Sequence, residues 1–171
     1  MLTEGVHSLK LENIGESFAV AKVTLRAPKL PKSYKETGNA DKAKSFSAEP
    51  VIIEGESAVR KSNRSIVSKA DTSSPVISPS SASKQLINYI GLTGWKTPGE
   101  EIVWNFEVKA AGYYDLRYIY KQDQTVNGYS YRRMKIDGEI PFSEAAEMSF
   151  FYGTSWKKGV FSDENGEPYY I

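Results

Sequence analysis

The sequence predicts an all-β protein, an antiparallel β-sandwich. Three observations carry this expectation. No stretch of the 171 residues sustains the 3.6-residue apolar period of an amphipathic helix. Instead, short segments alternate apolar and polar residues with the period of two that a half-buried strand requires. Clusters of Gly, Pro, Asn, Asp and Ser lie between these segments and turn the chain. Many short strands joined by turns favour two packed sheets.

The elements follow in order. Residues 6–12 alternate, with Leu9 and Leu11 on one face. A turn at 13–16 leads to residues 18–25, rich in Ala and Val, and the two segments read as a strand pair. Residues 27–49 change character, with Pro and many Lys but few large apolar residues, and read as a linker with a short helical turn near Ser33 to Glu36. Residues 51–56 form the next strand. Residues 57–85 are dense in Ser, Asn, Asp and Pro and read as long loops with one or two short strands. Residues 85–90 fit a strand, and Trp95 sits in a Gly- and Pro-containing loop. Residues 102–108 give the strongest strand signal, with Ile102, Trp104, Phe106 and Val108 facing one way. Ala111-Gly112 turns the chain into residues 113–120, so a hairpin is expected here. Residues 131–137 form a strand closed by Asp137-Gly138. Residues 142–147 fit one helical turn, and 148–152, 156–161 and 168–171 fit further strands.

This order predicts three parts. Residues 1–26 are the closing strand pair of a sandwich, belonging to a preceding repeat or docked into the domain that follows. Residues 27–49 are the linker, and 50–171 are a sandwich without closing strands of its own.

Composition narrows the function. Lys and Arg number 22 against 21 Asp and Glu, a net charge of +1, which gives no electrostatic reason to expect nucleic acid or an anionic membrane as partner. No Cys is present, so disulfides, thiolate catalysis and Cys-ligated zinc are excluded. The first residues have no basic and apolar signal-peptide pattern, and no apolar run reaches the roughly 18–20 residues that span a bilayer. His7 is the one histidine, and no Ser lies in a nucleophile elbow, so Ser-His-Asp chemistry has no support. The carboxylates Glu100-Glu101 and Glu144/Glu147 read as solvated surface, not as a glycosidase pair. No phosphate-cradling glycine motif occurs. The chain is therefore expected not to be an enzyme.

The segments Ile53-Glu54-Gly55-Glu56, Pro98-Gly99-Glu100-Glu101-Ile102-Val103-Trp104-Asn105-Phe106-Glu107-Val108, Ala111-Gly112-Tyr113-Tyr114 and Arg132-Arg133-Met134-Lys135-Ile136-Asp137-Gly138 resemble, in order and spacing, the galactose-binding-like jelly roll. The chain is similar to family 6 and family 35 carbohydrate-binding modules, and to tandem modules attached to bacterial extracellular solute-binding proteins of ABC transporters. In that group a module ends on Glu-Gly-x-His-x-Leu-x-Leu, which stands here at Glu4 to Leu11. The resemblance covers about residues 1–26 and 50–171. It implies a non-catalytic module of a larger extracellular or cell-surface protein, with a glycan or oligosaccharide and neighbouring modules as partners and no membrane insertion. It implies no organic cofactor. Some members hold a structural calcium between a Glu-x-Glu and an Asp of the last strand. Glu54 and Glu56 match the first part, while Ala21 stands where the Asp would.

Sugar binding needs an aromatic face for the C–H surface of a pyranose ring and planar polar groups for its hydroxyls. Loop and loop-flanking residues of those types are Trp95, Gln122, Asn127, Tyr129, Tyr131, Arg132 and Trp156. Each has a structural reading beside the functional one. A loop Trp more often plugs the end of a sandwich, and Arg132, on the face of Met134 and Ile136, fits a buried partner role. Trp104 is expected in the core. The competing function is a spacer or protein-docking sandwich that binds no sugar, and a weaker third is a glycosidase accessory domain.

Overall fold

Short antiparallel strand pairs and very little helix make up this protein. The structure, a computed structural model, describes residues 3–15, 17–25, 30–43, 49–81 and 83–171. The strands are β1 (Arg60–Lys61), β2 (Ser68–Lys69), β3 (Tyr89–Ile90), β4 (Ile102–Val103), β5 (Arg117–Gln122), β6 (Tyr129–Arg132), β7 (Met148–Phe151) and β8 (Gly153–Val160). They pair antiparallel as β1–β4, β2–β3, β5–β8 and β6–β7. The all-β expectation therefore holds at the level of strands and pairing. A continuous two-sheet jelly roll is not formed among the described residues.

The expected hairpin of 102–108 with 113–120 is not formed. Residue pairs Arg60/Val103 and Lys61/Ile102 join β4 to β1, whereas β5 runs against β8 from Arg117/Val160 to Gln122/Gly153. The reason lies in Tyr114 and Asp115. Tyr114 exchanges both backbone hydrogen bonds with Ile171, at 3.1 and 2.9 Å, and Asp115 bridges Tyr170. The C-terminal residues thus occupy the place a hairpin partner would take. Beyond β4 the apolar face is left open: Phe106 and Val108, expected on one face with Trp104, are exposed, and Trp104, expected in the core, is only partly covered, its Nε1 donating to the Gly55 carbonyl at 2.9 Å.

The core sits between β5–β8, β7 and the turn that precedes β7. Phe142, Ala145, Met148 and Phe161 are its buried centre, with Leu116, Tyr118, Met134 and Phe150 packed around them. The helical turn expected at 142–147 is a 3-10 turn, Ser143–Ala146, which drops Ala145 into this core. Outside this core, Ile66, Ile77 and the amide of Asn88 are also buried. Asn88 clamps the loop before β3, donating to the Asp71 and Pro79 carbonyls and accepting the Asp71 N–H, each at 2.9 Å. Such a buried amide is stable only because its polar atoms are paired.

Residues 30–43, expected as linker, are folded onto the core instead. The helical turn near Ser33 is present as α1 (Tyr34–Thr37), and α2 (Asn39–Ala43) follows it. Glu36 reaches back to the Ser33 N–H at 2.8 Å, satisfying an otherwise orphan donor at the helix start. Gly38 ends α1 in the left-handed conformation, φ 68°. The Tyr34 ring completes an aromatic cluster, 5.1 Å from Phe142 and 4.6 Å from Tyr169. Its N–H donates to the Glu144 carboxylate, and the Lys32 carbonyl accepts from Ser143 N–H at 2.8 Å. Ring packing by Tyr34 and these hydrogen bonds together hold the Lys-rich stretch on the core.

Residues 3–15 and 17–25 are exposed throughout and carry no strand. The expected strand pair is therefore not made among the described residues. An isolated hairpin is marginal in water without a sheet to lie on. Met1, Leu2, Glu16 and Arg26 of that pair, and 27–29 and 44–48 of the expected linker, lie outside the described residues. The strand expected at 51–56 is likewise absent, and Gly55–Ser57 forms a 3-10 turn.

Candidate functional site

The residues expected at a ligand site divide into four groups. Trp95 and Arg132 hold each other. The guanidinium lies 4.3 Å from the centroid of the Trp95 ring. It also donates to the Ser130 hydroxyl at 2.8 Å and to the carbonyls of Tyr131 and Trp95 at 2.6 and 3.3 Å. Burial pulls the Arg132 pKa down, as expected for a charge away from water. Trp95 Nε1 donates to the Glu100 carbonyl at 3.1 Å, and its ring packs on Gly91, φ 96°. This pair ties the loop after β3 to β6.

Gln122 and Asn127 shape a loop. Gln122 is buried, and its Oε1 accepts the N–H groups of Gln124 and Thr125 at 2.9 and 2.8 Å. Its Nε2 points at the Thr125 and Gly128 carbonyls, both at 3.4 Å. The register irregularity between Tyr120 and Gln122 frees this side chain to turn inward. Asn127 takes the left-handed conformation, φ 54°, that closes the loop, a role asparagine tolerates well.

Trp156 is also tied. Its Nε1 donates to Asp71 Oδ2 at 2.9 Å and its ring meets Tyr89 edge-on at 5.5 Å. Asp71 accepts the Ser73 N–H at 2.7 Å, and Lys121 Nζ lies 3.6 Å from Asp71 and 3.7 Å from Asp123. The Ser73 hydroxyl, its N–H, the indole and Lys121 together hold the Asp71 pKa at about 2, against the opposing pull of burial. Burial and the Asp71 charge raise Tyr89.

Tyr129 and Tyr131 behave differently. They alternate outward on β6, and Tyr129 stands opposite Phe151 of β7. The three rings are 51, 53 and 44% exposed. Tyr129 lies 5.0 Å from Phe151 and 6.3 Å from Tyr131, whose plane is tilted only 32° from its own. Lys157 Nζ stands 5.7 Å from the Phe151 centroid. Next to Tyr131 opens a surface depression of about 300 Å³, lined by Tyr131, Arg132, Arg133, Ala146 and Glu147. The result is an exposed aromatic strip with charged groups at both ends.

Sequence reasoning missed Phe151, Arg133 and Glu147 of this strip. The doublet Phe150-Phe151 held a usable signal, since adjacent strand residues face opposite ways and one ring had to point outward. It also missed Asp71 and Tyr89, which meet Trp156 and Lys121 from separated segments with no local signature.

The calcium expectation does not fit. Glu56 Oε2 is buried without a hydrogen-bond partner, which alone would suit a cation. But no group of three or more Asp, Glu, His or Cys side chains converges anywhere among the described residues, and calcium takes six to eight oxygen ligands. No helix among them is long and apolar enough to cross a membrane. Comparison with protein families, curated proteins and solved structures gives no match to this chain.

Proposed function

We propose that this protein is a non-catalytic carbohydrate-binding module built on short antiparallel strand pairs, and that the Tyr129–Tyr131–Phe151 strip is its glycan platform. One observation carries the reading: three aromatic rings share one outward strand face and stay about half exposed where a core would have buried them. An apolar strip of that kind on a surface marks a binding site. Pyranose rings offer C–H faces to such rings, while Arg133, Glu147 and Lys157 border it with donors and acceptors for hydroxyls. The setting that the sequence resemblance suggests is a larger bacterial extracellular protein that captures solutes or glycans. The protein needs no chemistry of its own for this role.

The second reading is a spacer or protein-docking domain. The satisfied indole N–H groups of Trp95, Trp104 and Trp156 favour it, because the largest rings in the chain are used for internal ties. A glycan array followed by titration of the best hit separates the two. Tyr131→Ala should weaken binding about 30-fold, from the ~2 kcal/mol that truncating an aromatic anchor costs, while Trp95→Phe leaves it near wild type. Absence of any glycan binding at millimolar concentration, or binding indifferent to Tyr129→Ala and Tyr131→Ala, rejects the platform and leaves the docking domain.

A further inference from the structure

The depression beside Tyr131 is built differently from the aromatic strip it extends. Its wall combines the Tyr131 ring, the Ala146 methyl group and two opposite charges, Arg133 and Glu147. The remaining lining residue, Arg132, commits its guanidinium to Ser130, Tyr131 and Trp95. Arg133 follows β6 and Glu147 precedes β7, so the pairing of Arg132 with Met148 brings the two charges to one end of the sheet. Arg133 Nε donates to the Ala146 carbonyl at 3.4 Å, which sets the guanidinium against the wall. Its Nη groups and the Glu147 carboxylate have no hydrogen-bond or ion-pair partner among the described residues, each other included. A set of donors and a set of acceptors therefore stand open side by side, next to an apolar wall.

We propose that this depression reads the acetamido group of an N-acetylated amino sugar whose ring lies on Tyr131. The proposal rests on the platform reading above and names its substrate class. An acetamido group is planar and carries one carbonyl acceptor, one N–H donor and one methyl group. Arg133 donates to the carbonyl, Glu147 accepts from the N–H, and the methyl group meets the Tyr131 ring and Ala146. Neither charged side chain can serve both polar ends, because a guanidinium only donates and a carboxylate only accepts. A sugar hydroxyl engages these charges through a single oxygen and leaves the apolar wall bare. A carboxylate on the sugar would pair with Arg133 but be repelled by Glu147. The depression holds about 300 Å³, at the small end of ligand pockets, and so suits one substituent and not a chain.

Titration calorimetry on the full chain with N,N′-diacetylchitobiose and with cellobiose tests this. The two sugars differ only in carrying an acetamido group or a hydroxyl beside the anomeric carbon. Diacetylchitobiose should bind about tenfold tighter, the strength of one added hydrogen bond to a charged group. That ratio should fall toward one in Arg133→Ala and in Glu147→Ala, and stay closer to wild type in Glu147→Gln, which keeps an acceptor. Both positions are exposed, and unfolding midpoints near wild type confirm that the variants are folded. If one alanine variant fails that check, the other decides. Methyl N-acetyl-β-galactosaminide against methyl β-galactoside repeats the comparison on a second ring, and a ratio in one pair only assigns the depression to that sugar. Equal binding within both pairs overturns the proposal, as does a ratio that survives the alanine variants. So does failure of both acetamido sugars to bind at millimolar concentration. Another glycan bound in a Tyr131-dependent way would then leave the platform standing, whereas a chain that binds no glycan loses both.

Discussion

Replacing Asp71 with Asn should destabilise the protein by about 2 kcal/mol at neutral pH, and that difference should disappear in acid. The Asp71 carboxylate is partly buried, with 17% of its side chain accessible, and accepts from Ser73 and Trp156 with Lys121 nearby. These groups favour the ionised form and lower its pKa from 3.8 to about 2. That lowering corresponds to about 2.5 kcal/mol, reduced to about 2 by water at the rim of the site. The sign follows from the depressed folded-state value. The stabilisation is complete above the unfolded pKa of 3.8 and is lost as pH falls through about 2. Urea unfolding of wild type and Asp71→Asn, repeated from about pH 7 down to about pH 2, measures the gap directly. Trp156→Phe keeps the ring against Tyr89 but removes the N–H. A double-mutant cycle with Asp71→Asn should then return a coupling of about 1.5 kcal/mol, the range of a hydrogen bond to a charged group. A gap that does not change across the pH series, or a coupling near zero, would refute the reasoning and release Trp156 from its structural role.

Two further predictions concern elements the sequence underplayed. Tyr34→Ala should cost about 3 kcal/mol, from the loss of a ring packed on Phe142 and Tyr169, and should loosen the whole 30–43 segment. Thermal unfolding reads the first effect, and faster proteolysis within that segment reads the second. Gly94→Ala should destabilise by about 1–3 kcal/mol, because the new methyl group would overlap the Ser65 carbonyl, a backbone atom that cannot swing aside. Gly99→Ala, with nothing near its Cβ position but a φ of +87°, serves as a control for backbone strain alone and should cost about 1 kcal/mol.

Local pattern made several elements legible. The strands at Met148–Phe151 and Gly153–Val160, the turn at Ser143–Ala146 and the helical start after Ser33 all follow from neighbouring residues, since period and capping act within a few positions. Pairing was not legible in the same way. The choice between β4 and β8 as the partner of β5 depends on whether Tyr170 and Ile171 reach Tyr114, a contact more than fifty residues long in sequence that no window can see. The linker reading failed for a related reason. Composition averages over a segment, and Tyr34 is a single ring whose effect depends on a cluster built from distant Phe142, Phe161 and Tyr169.

The same limit governed the candidate site, and its outcome is instructive about aromatic residues on β-scaffolds. Loop position selected Trp95 and Trp156 from the sequence, yet each indole carries one N–H donor that a folded chain tends to satisfy. Both found internal acceptors, and their rings were drawn in with them. Tyr129 and Tyr131 carry their polar atom at the far tip of the ring, so the hydroxyl can remain in water while the face stays open. On the two-stranded β6–β7 sheet, that difference decides which rings stay exposed. Strand alternation placed Tyr129, Tyr131 and Phe151 on one side, and the pairing of β6 with β7 set Phe151 5.0 Å from Tyr129. A Tyr131→Trp substitution probes this argument: if the open sheet face is what keeps the ring available, the larger ring should remain exposed and bind glycan at least as well as the wild type. Quenching of its fluorescence by acrylamide reports the exposure. A shielded indole at that position would mean that neighbouring acceptors, and not the sheet face, determine which aromatic residues stay on the surface.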